Sequence, residues 1–364
     1  MDPLAHTLVG ASLAELSLKQ RSAMAVPTLV LGANAPDIDA LTILMGGDLS
    51  LGFRRGWTHG VLAMVLLPVI MTGLMLLIER IAARCRGRAP RARAGPLLGL
   101  SYIAVLTHPA LDWLNTYGIR LLMPFDNTWF YGDALFIVDP WIWLLGTTTV
   151  VLAHTKSRPS IGAWLVLGVV VTSLVTAYPG TPAVARLLWV TGITCIVGLR
   201  LWGGLQHQLP HLATGCLAGA LVYIIVMVGS SRVATHQVRT WLAARDNTPV
   251  VIMAAPLPAN PFARDIVVVD DQHYHFLELD WLANEPIRIA SPSIDRTTHG
   301  PVVEAALAAP HIQGLMTWIR FPAYEVEETP TGYRVSITDV RYARRVGTGL
   351  GTAVVELDRN LHVR

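Results

Sequence analysis

The chain has 364 residues, of which 52% are hydrophobic and only 15% charged, with a formal net charge of +3. That composition excludes a disordered chain or a nucleic-acid-binding protein, and it is too apolar for an ordinary soluble enzyme. The three cysteines, Cys85, Cys195 and Cys216, stand too far apart for a zinc knuckle or a CxxC redox pair.

Charge divides the chain near residue 230. Residues 1–229 hold 15 of the 28 Lys/Arg and 10 of the 25 Asp/Glu, and most of the long apolar runs. A bilayer crossing needs about 20 predominantly apolar residues. Taken in order, the candidate segments are 4–18 (with His6 and Glu15), 23–45 (with Asp37 and Asp39), 60–78, 97–111, 137–153 (with Asp139), 161–177, 187–199 and 212–229. They predict a mainly α, polytopic membrane domain over 1–229 with about eight membrane-embedded helices, the first two being the weakest. The opening Met-Asp-Pro has no positive n-region, and His6 breaks the apolar run, so a cleavable signal peptide is not expected.

Loops rich in Lys/Arg stay in the cytoplasm. Six arginines, Arg80, Arg84, Arg86, Arg88, Arg91 and Arg93, crowd one loop. Counting alternately puts Lys19, Arg21, Lys156, Arg158 and Arg200 on that same side, eleven basic residues against Arg54, Arg55, Arg120 and Arg186. With eight crossings both termini lie outside the cytoplasm. Residues 230–364 then form a small extracytoplasmic α+β domain. Its β-branched runs at 250–254, 265–269, 333–337 and 352–357 read as strands, and 301–309 as one short helix. The Pro-rich stretch 253–262 reads as a stiff connector. His273 and His275 alternate on one strand face, while His299 and His311 stand alone, and exposed histidines are common on soluble surfaces.

Ionisable residues inside membrane segments are costly and mark functional sites by default. Here they recur as His and Asp, which bind zinc or another divalent metal through imidazole nitrogen and carboxylate oxygen. They are His6, Asp37 and Asp39, His59, His108 and Asp112, and Asp139. Counted from the basic side at about 1.5 Å per residue, His6, Asp37, His108 and Asp139 all fall roughly 20–24 Å deep, with His59 somewhat higher. Their common depth, more than any single motif, makes them a candidate cluster. His108 and Asp112, four apart, share one helical face. Pro109 between them suggests instead a helix that restarts there. Asp139 before Pro140 is also a plausible helix N-cap. Glu15 and Glu79 are expected to pair with Lys19 and Arg80. Trp57, Trp113, Trp129, Tyr131 and Trp141 suggest an interfacial aromatic belt.

A two-metal site needs about five or six ligands including a bridging carboxylate, and these residues supply that number for one or two zinc ions. His6, Asp39, His59, His108 and Asp112 are the expected metal ligands. Asp37 or Asp139 is the expected general base. Arg54 and Arg55, just before His59, are the expected phosphate-binding pair. The natural substrate class at this depth is a membrane phospholipid or lipid-linked phosphoester, with no nucleic-acid partner. The alternative is a proton- or cation-coupled transporter using the buried His/Asp cluster. Paired broken helices and two-half symmetry are not evident in the sequence. A third class is a structural membrane protein whose tail binds a partner. HExxH, the intramembrane zinc-protease signature, does not occur.

Several ordered motifs resemble the YdjM/YbcI-type family, bacterial inner-membrane proteins described as membrane-bound metal-dependent hydrolases. They are Met1-Asp2-Pro3-Leu4-Ala5-His6-Thr7 with Gly10, Pro36-Asp37-Ile38-Asp39, Arg55-Gly56-Trp57-Thr58-His59, and His108 to Asp112 with Asn115-Thr116-Tyr117-Gly118. Pro124-Phe125 and Ile137-Val138-Asp139-Pro140 complete the set, which covers residues 1 to about 150. The resemblance implies an inner-membrane location and metal-dependent hydrolysis. Members often carry His where this chain has Arg54, and Ser where it has Gly60. The motif order is also distantly similar to zinc-dependent phospholipase C and the single-strand nucleases grouped with it. Their later His and Glu ligands have no counterpart here, which implies two metals rather than three.

Overall fold

The structure, a computed structural model, describes residues 1–203, 208–245, 249–296 and 300–364. Contacts divide it into two compact units. The first comprises Met1–Ile38, Arg55–Ser230 and Pro256–Pro261, and the second Asp39–Arg54, Ser231–Ala255 and Phe262–Arg364.

The helices begin with α1 (Pro3–Glu15), α2 (Ala25–Gly32), a 3-10 helix (Ala35–Met45) and α3 (Gly47–Phe53). Longer ones follow: α4 (Val61–Cys85), α5 (Ala94–Trp113), α6 (Pro140–His154), α7 (Arg158–Ala177), α8 (Ala183–Trp202) and α9 (Leu209–Ala243). Five of these, α4, α5, α7, α8 and α9, are long and apolar enough to cross a membrane. Together α2 and the 3-10 helix, bent by 49°, make a possible sixth. The expected eight thus reduce to five or six candidate spans among the described residues. With 13 and 15 residues, α1 and α6 fall short of the length a bilayer asks for. On α7, Leu165, Val166 and Val169 are exposed, as are Leu221, Val222 and Ile225 on α9. Helices apolar on the outward face as well as the inward one belong in lipid rather than water.

Inside the first unit, Asp2 caps α1 by accepting the Leu4 and Ala5 amides at 3.0 and 3.1 Å, with Pro3 at the first helical position. Gly10 lets α1 lie against α2, because a Cβ there would meet the Leu29 carbonyl oxygen at 2.5 Å. Ala14, Ala25, Leu29, Met75, Leu97 and Ala104 pack together across α1, α2, α4 and α5. Glu15 pairs with Lys19 at 2.5 Å, as expected. Glu79 takes Arg88 at 2.7 Å in place of the expected Arg80. The reason is rotational: Arg80 is adjacent on the same helix, and neighbours in a helix do not face each other.

β1 (Val251–Leu257), β2 (Asn260–Val269), β3 (His273–Asp280) and β4 (Ile287–Asp295) form one sheet in that order, in the second unit except for the β1–β2 tip, Pro256–Pro261. After α10 (Pro301–Leu307) and α11 (Gln313–Trp318), strands β5 (Pro322–Thr329), β6 (Gly332–Asp339) and β7 (Thr352–Asp358) form a second, antiparallel sheet. The predicted strands and helix are present here. The stretch 253–262 is not a connector but the turn and inner halves of the β1–β2 hairpin. Its prolines, Pro256 and Pro261, flank the turn, where a missing amide costs the ladder little. The core under the first sheet joins Ala254, Ile266, Val268, Leu277 and Leu279 to Ala234, Val238 and Leu242 on the end of α9.

Candidate metal centre

Each candidate side chain is set by local structure. His6 sits in the first turns of α1, held by the Asp2 cap. Asp37 lies near the start of the 3-10 helix, and His59 immediately precedes Gly60, the N-cap of α4. A Cβ on Gly60 would meet the Met123 carbonyl oxygen at 2.3 Å. This close approach accounts for glycine at the position where relatives were expected to carry Ser. His108 and Asp112 lie on α5, which runs through Pro109 without restarting, so both project from one face.

The cluster converges on Asp112, which is fully buried. Its Oδ2 lies 3.2 Å from His59 Nε2, 3.4 Å from His108 Nε2 and 3.1 Å from Arg55 Nε. Its Oδ1 lies 3.2 Å from His6 Nε2 and accepts from the Met1 amine. Asp37 Oδ1 is 3.7 Å from His108 Nε2. One ligand atom from each of Asp37, His59, His108 and Asp112 lies within 4.8 Å of the others. Ligands about 2.1 Å from a tetrahedral ion stand roughly 3.4 Å apart. The separations of 3.2, 3.4 and 3.7 Å bracket that value. These four residues can hold a metal ion.

The tautomer of His108 strengthens the fit. Its Nδ1–H donates to the Ala33 carbonyl at 2.6 Å, so Nε2 is the nitrogen left facing two carboxylates. That buried Nε2 makes no hydrogen bond. A neutral imidazole would aim its lone pair at anions, an arrangement that a cation between them relieves. The His6 ring stacks on His108 with centroids 3.7 Å apart, and His59 meets His108 edge-on at 5.0 Å.

The remaining candidates go elsewhere. Asp39 is not one of the four. Residues two apart on a 3-10 helix point about 240° apart, so Asp37 and Asp39 cannot serve one ion from one face. Asp39 and Arg54 belong to the second unit, where they stand 3.8 Å apart. Arg55 is committed to partners inside the protein. It is 3% exposed, and besides Asp112 it donates to Asn115 Oδ1 at 2.8 Å while lying 4.5 Å over the Tyr117 ring. Asp139 is the N-cap of α6: Oδ1 accepts from Trp141 and Ile142, and Oδ2 from the Tyr223 hydroxyl at 2.9 Å. Both oxygens are engaged away from the cluster.

Sequence reasoning missed Arg120, counted above as a loop charge. It is buried, donates to Asn127 at 2.8 Å and lies 5.1 Å over Trp129, and its backbone amide donates to the Arg55 carbonyl at 2.8 Å. Trp129 and Tyr131, expected in an aromatic belt, stack with centroids 6.2 Å apart in this Arg120 cluster. The only sequence signal was the aromatic density between residues 113 and 131. In the tail, His311 is exposed, and His299 lies outside the described residues.

Fold and site together define a polytopic helical membrane protein with a buried His/Asp group able to hold a metal. Residues 1–181 match the model of the YdjM inner membrane protein family, and over that region the chain belongs to this family. It is also similar to the uncharacterized protein YfhP of Bacillus subtilis (strain 168), 26% identical over 139 residues. That match covers 38% of this chain and 39% of the relative, so it spans about two fifths of the relative's length. No solved structure matches the chain. Every member of the four-residue group, and His6, falls inside the family match.

Proposed function

We propose that the protein is a membrane-embedded zinc-dependent hydrolase acting on a phospholipid or another lipid-linked phosphoester at the outer face of the cytoplasmic membrane. The observation that carries this reading is the convergence of two imidazoles and Asp37 on buried Asp112 at metal-ligand spacing. Asp37, His59, His108 and Asp112 would hold the ion, with His6 against the second oxygen of Asp112. Zinc bound there would supply Lewis-acid polarisation of the scissile phosphoryl group and a competent nucleophile near neutral pH. Arg55 orients the Asp112 carboxylate, and the Ala33 carbonyl fixes the His108 ring. Asp37, the only one of the four with any exposed side-chain surface (13%), takes up the proton of the attacking water.

Orientation rests on α4 and α5 alone. The six-arginine stretch joins them at one end, while His59 precedes α4 and Asp112 ends α5 at the other. Arginines inside therefore put the cluster in the outer half of the bilayer. If α6 crosses despite its length, the chain leaves α9 on that outer side. The tip of the β1–β2 hairpin supports this, since Asn260 donates to the Gly180 carbonyl, beyond the end of α7, at 3.0 Å. An apolar cavity of about 600 Å³ among α6, α7 and α8, lined by Trp143, Leu144, Trp164, Val171, Trp189 and Ile193, suits an acyl chain, although none of its lining residues belongs to the metal group.

The test is elemental mass spectrometry of purified full-length wild type and His108→Ala, followed by phospholipid hydrolysis with wild type and His59→Ala. The expected result is zinc held by wild type and lost in His108→Ala, with hydrolysis abolished in His59→Ala. Wild type that holds no metal and hydrolyses nothing overturns the proposal and favours the proton- or cation-transport reading.

A further inference from the structure

A second set of metal-type side chains lies in the second unit, far along the chain from the first. Asp270 ends the β2 side of the β2–β3 turn, and its Oδ1 accepts the amides of Gln272 at 2.8 Å and His273 at 2.6 Å. This closed Asx turn fixes the carboxylate and directs Oδ2 along β3. His273 and His275, two apart on β3, project from the same face of the sheet. His275 Nε2 lies 2.6 Å from Asp270 Oδ2, and His273 Nδ1 lies 3.9 Å from Asp270 Oδ1. The two rings stand 5.7 Å apart between centroids. From the neighbouring strand, Asp295 is paired with His273 in register and brings its Oδ1 to 3.3 Å from His273 Nε2. Arg296 donates to the Asp270 carbonyl oxygen at 2.8 Å, bracing the backbone of the turn and not the carboxylate.

We infer that Asp270, His273 and His275, with Asp295 at the rim, form a second divalent-metal site, of the zinc class, independent of the membrane cluster. One ligand atom from each of the first three lies within 4.8 Å of the others. Two imidazoles with carboxylate oxygens are a zinc-type donor set, and harder cations prefer all-oxygen cages. The side chains of His273, His275 and Asp270 are 37%, 32% and 22% exposed, so an ion can enter from solution without opening the fold. The 2.6 Å contact of His275 with Asp270 opens by roughly 0.8 Å to reach the spacing of two ligands on one ion. A side-chain rotation on an accessible surface achieves that. Register explains why four residues from three chain segments meet here: the turn sets residue 270 opposite 273, so that its side chain reaches 275 on the same face, and antiparallel pairing brings 295 beside 273 on the other side.

The inference does not rest on the hydrolase reading, and its test separates the two. Full-length protein in detergent is stripped of metal and dialysed against zinc chloride, and bound zinc per chain is compared for wild type, His275→Ala, Asp270→Asn and His108→Ala. Asn caps the same turn, so Asp270→Asn retains the fold while removing the carboxylate. Loss of one zinc per chain in both His275→Ala and Asp270→Asn, with that zinc kept in His108→Ala, is the expected result. Loss of the cobalt(II) ligand-field absorption of this site in the same two variants is the corresponding spectroscopic readout. Zinc binding and cobalt spectra identical to wild type in His275→Ala and Asp270→Asn overturn the proposal and leave these residues as surface charge pairs.

Discussion

Substituting Asp112 by Asn tests whether the cluster depends on charge or only on shape. The amide keeps the volume and most hydrogen-bonding geometry of the carboxylate. It removes the charge facing Arg55, which is 3% exposed with its Nε 3.1 Å from Oδ2. A buried guanidinium deprived of its counter-ion costs about 3–5 kcal/mol. Asp112→Asn should therefore lower the melting temperature in detergent by roughly 5 °C. Removing the guanidinium as well, in Asp112→Asn with Arg55→Gln, should recover most of that loss, a coupling of about 2–3 kcal/mol. Metal binding should not recover. Loss of an outer-shell partner alone costs about 10–100-fold in affinity, and loss of a ligand costs more. The assay is a double-mutant cycle read by thermal unfolding and by zinc content. An Asp112→Asn variant that melts with wild type and keeps its metal refutes the reasoning, as does a double variant whose losses simply add.

Two further outcomes follow from geometry elsewhere. Gly60→Ala drives a methyl group to 2.3 Å from the Met123 carbonyl oxygen, so it should displace the start of α4 and with it His59. Its expected signature is a metal affinity lowered at least tenfold, checked by zinc competition with a chelator; unchanged affinity counts against the tight fit. Burial pushes the Tyr274 hydroxyl up to about 12, while it donates to the Pro322 carbonyl at 2.8 Å. The folded state therefore favours the neutral phenol. Its stabilising contribution is complete below the ordinary tyrosine value near 10 and is lost as pH rises from there through 12. The tyrosinate absorbance difference between wild type and Tyr274→Phe should place this group's titration well above the ordinary tyrosine value, and a titration near 10 contradicts it.

What the sequence revealed about the site depended on which physical rule applied. His108 and Asp112 were legible because four residues on a helix define a face whatever surrounds them. The choice between Asp37 and Asp39 was not, because it turns on the 3-10 geometry after Pro36, and two-residue spacing alone does not specify a helix type. Arg55 read as half of a phosphate-binding pair because burial of an arginine depends on partners distant in sequence, here Asp112 and Asn115. Asp139 carried its N-cap reading openly, beside Pro140. In the fold, the apolar runs marked the longer helices, whereas α1 and α6 showed the same composition at lengths too short to span. The tail strands missed were the polar ones. The outward residues of β4 are mostly exposed, and β5 carries Glu325, Glu327 and Glu328. In both, packing against a partner strand makes the strand, and their own apolar pattern does not.

The second unit is discontinuous in a way that constrains when it can be finished. Asp48, on α3, accepts the amides of Gly314 and Leu315 at 2.8 Å each, across 266 and 267 positions of chain. Gly314 is held so close that a Cβ would meet the Asp48 carbonyl oxygen at 1.7 Å. At synthesis rates of about 5–20 residues per second, residues 39–54 leave the ribosome tens of seconds before their partners exist. Asp37 and Arg55 flank that waiting segment. All four residues of the candidate metal group are present in the chain once α5 is made, whereas the Asp48 carboxylate meets the Gly314 and Leu315 amides only when translation is nearly over.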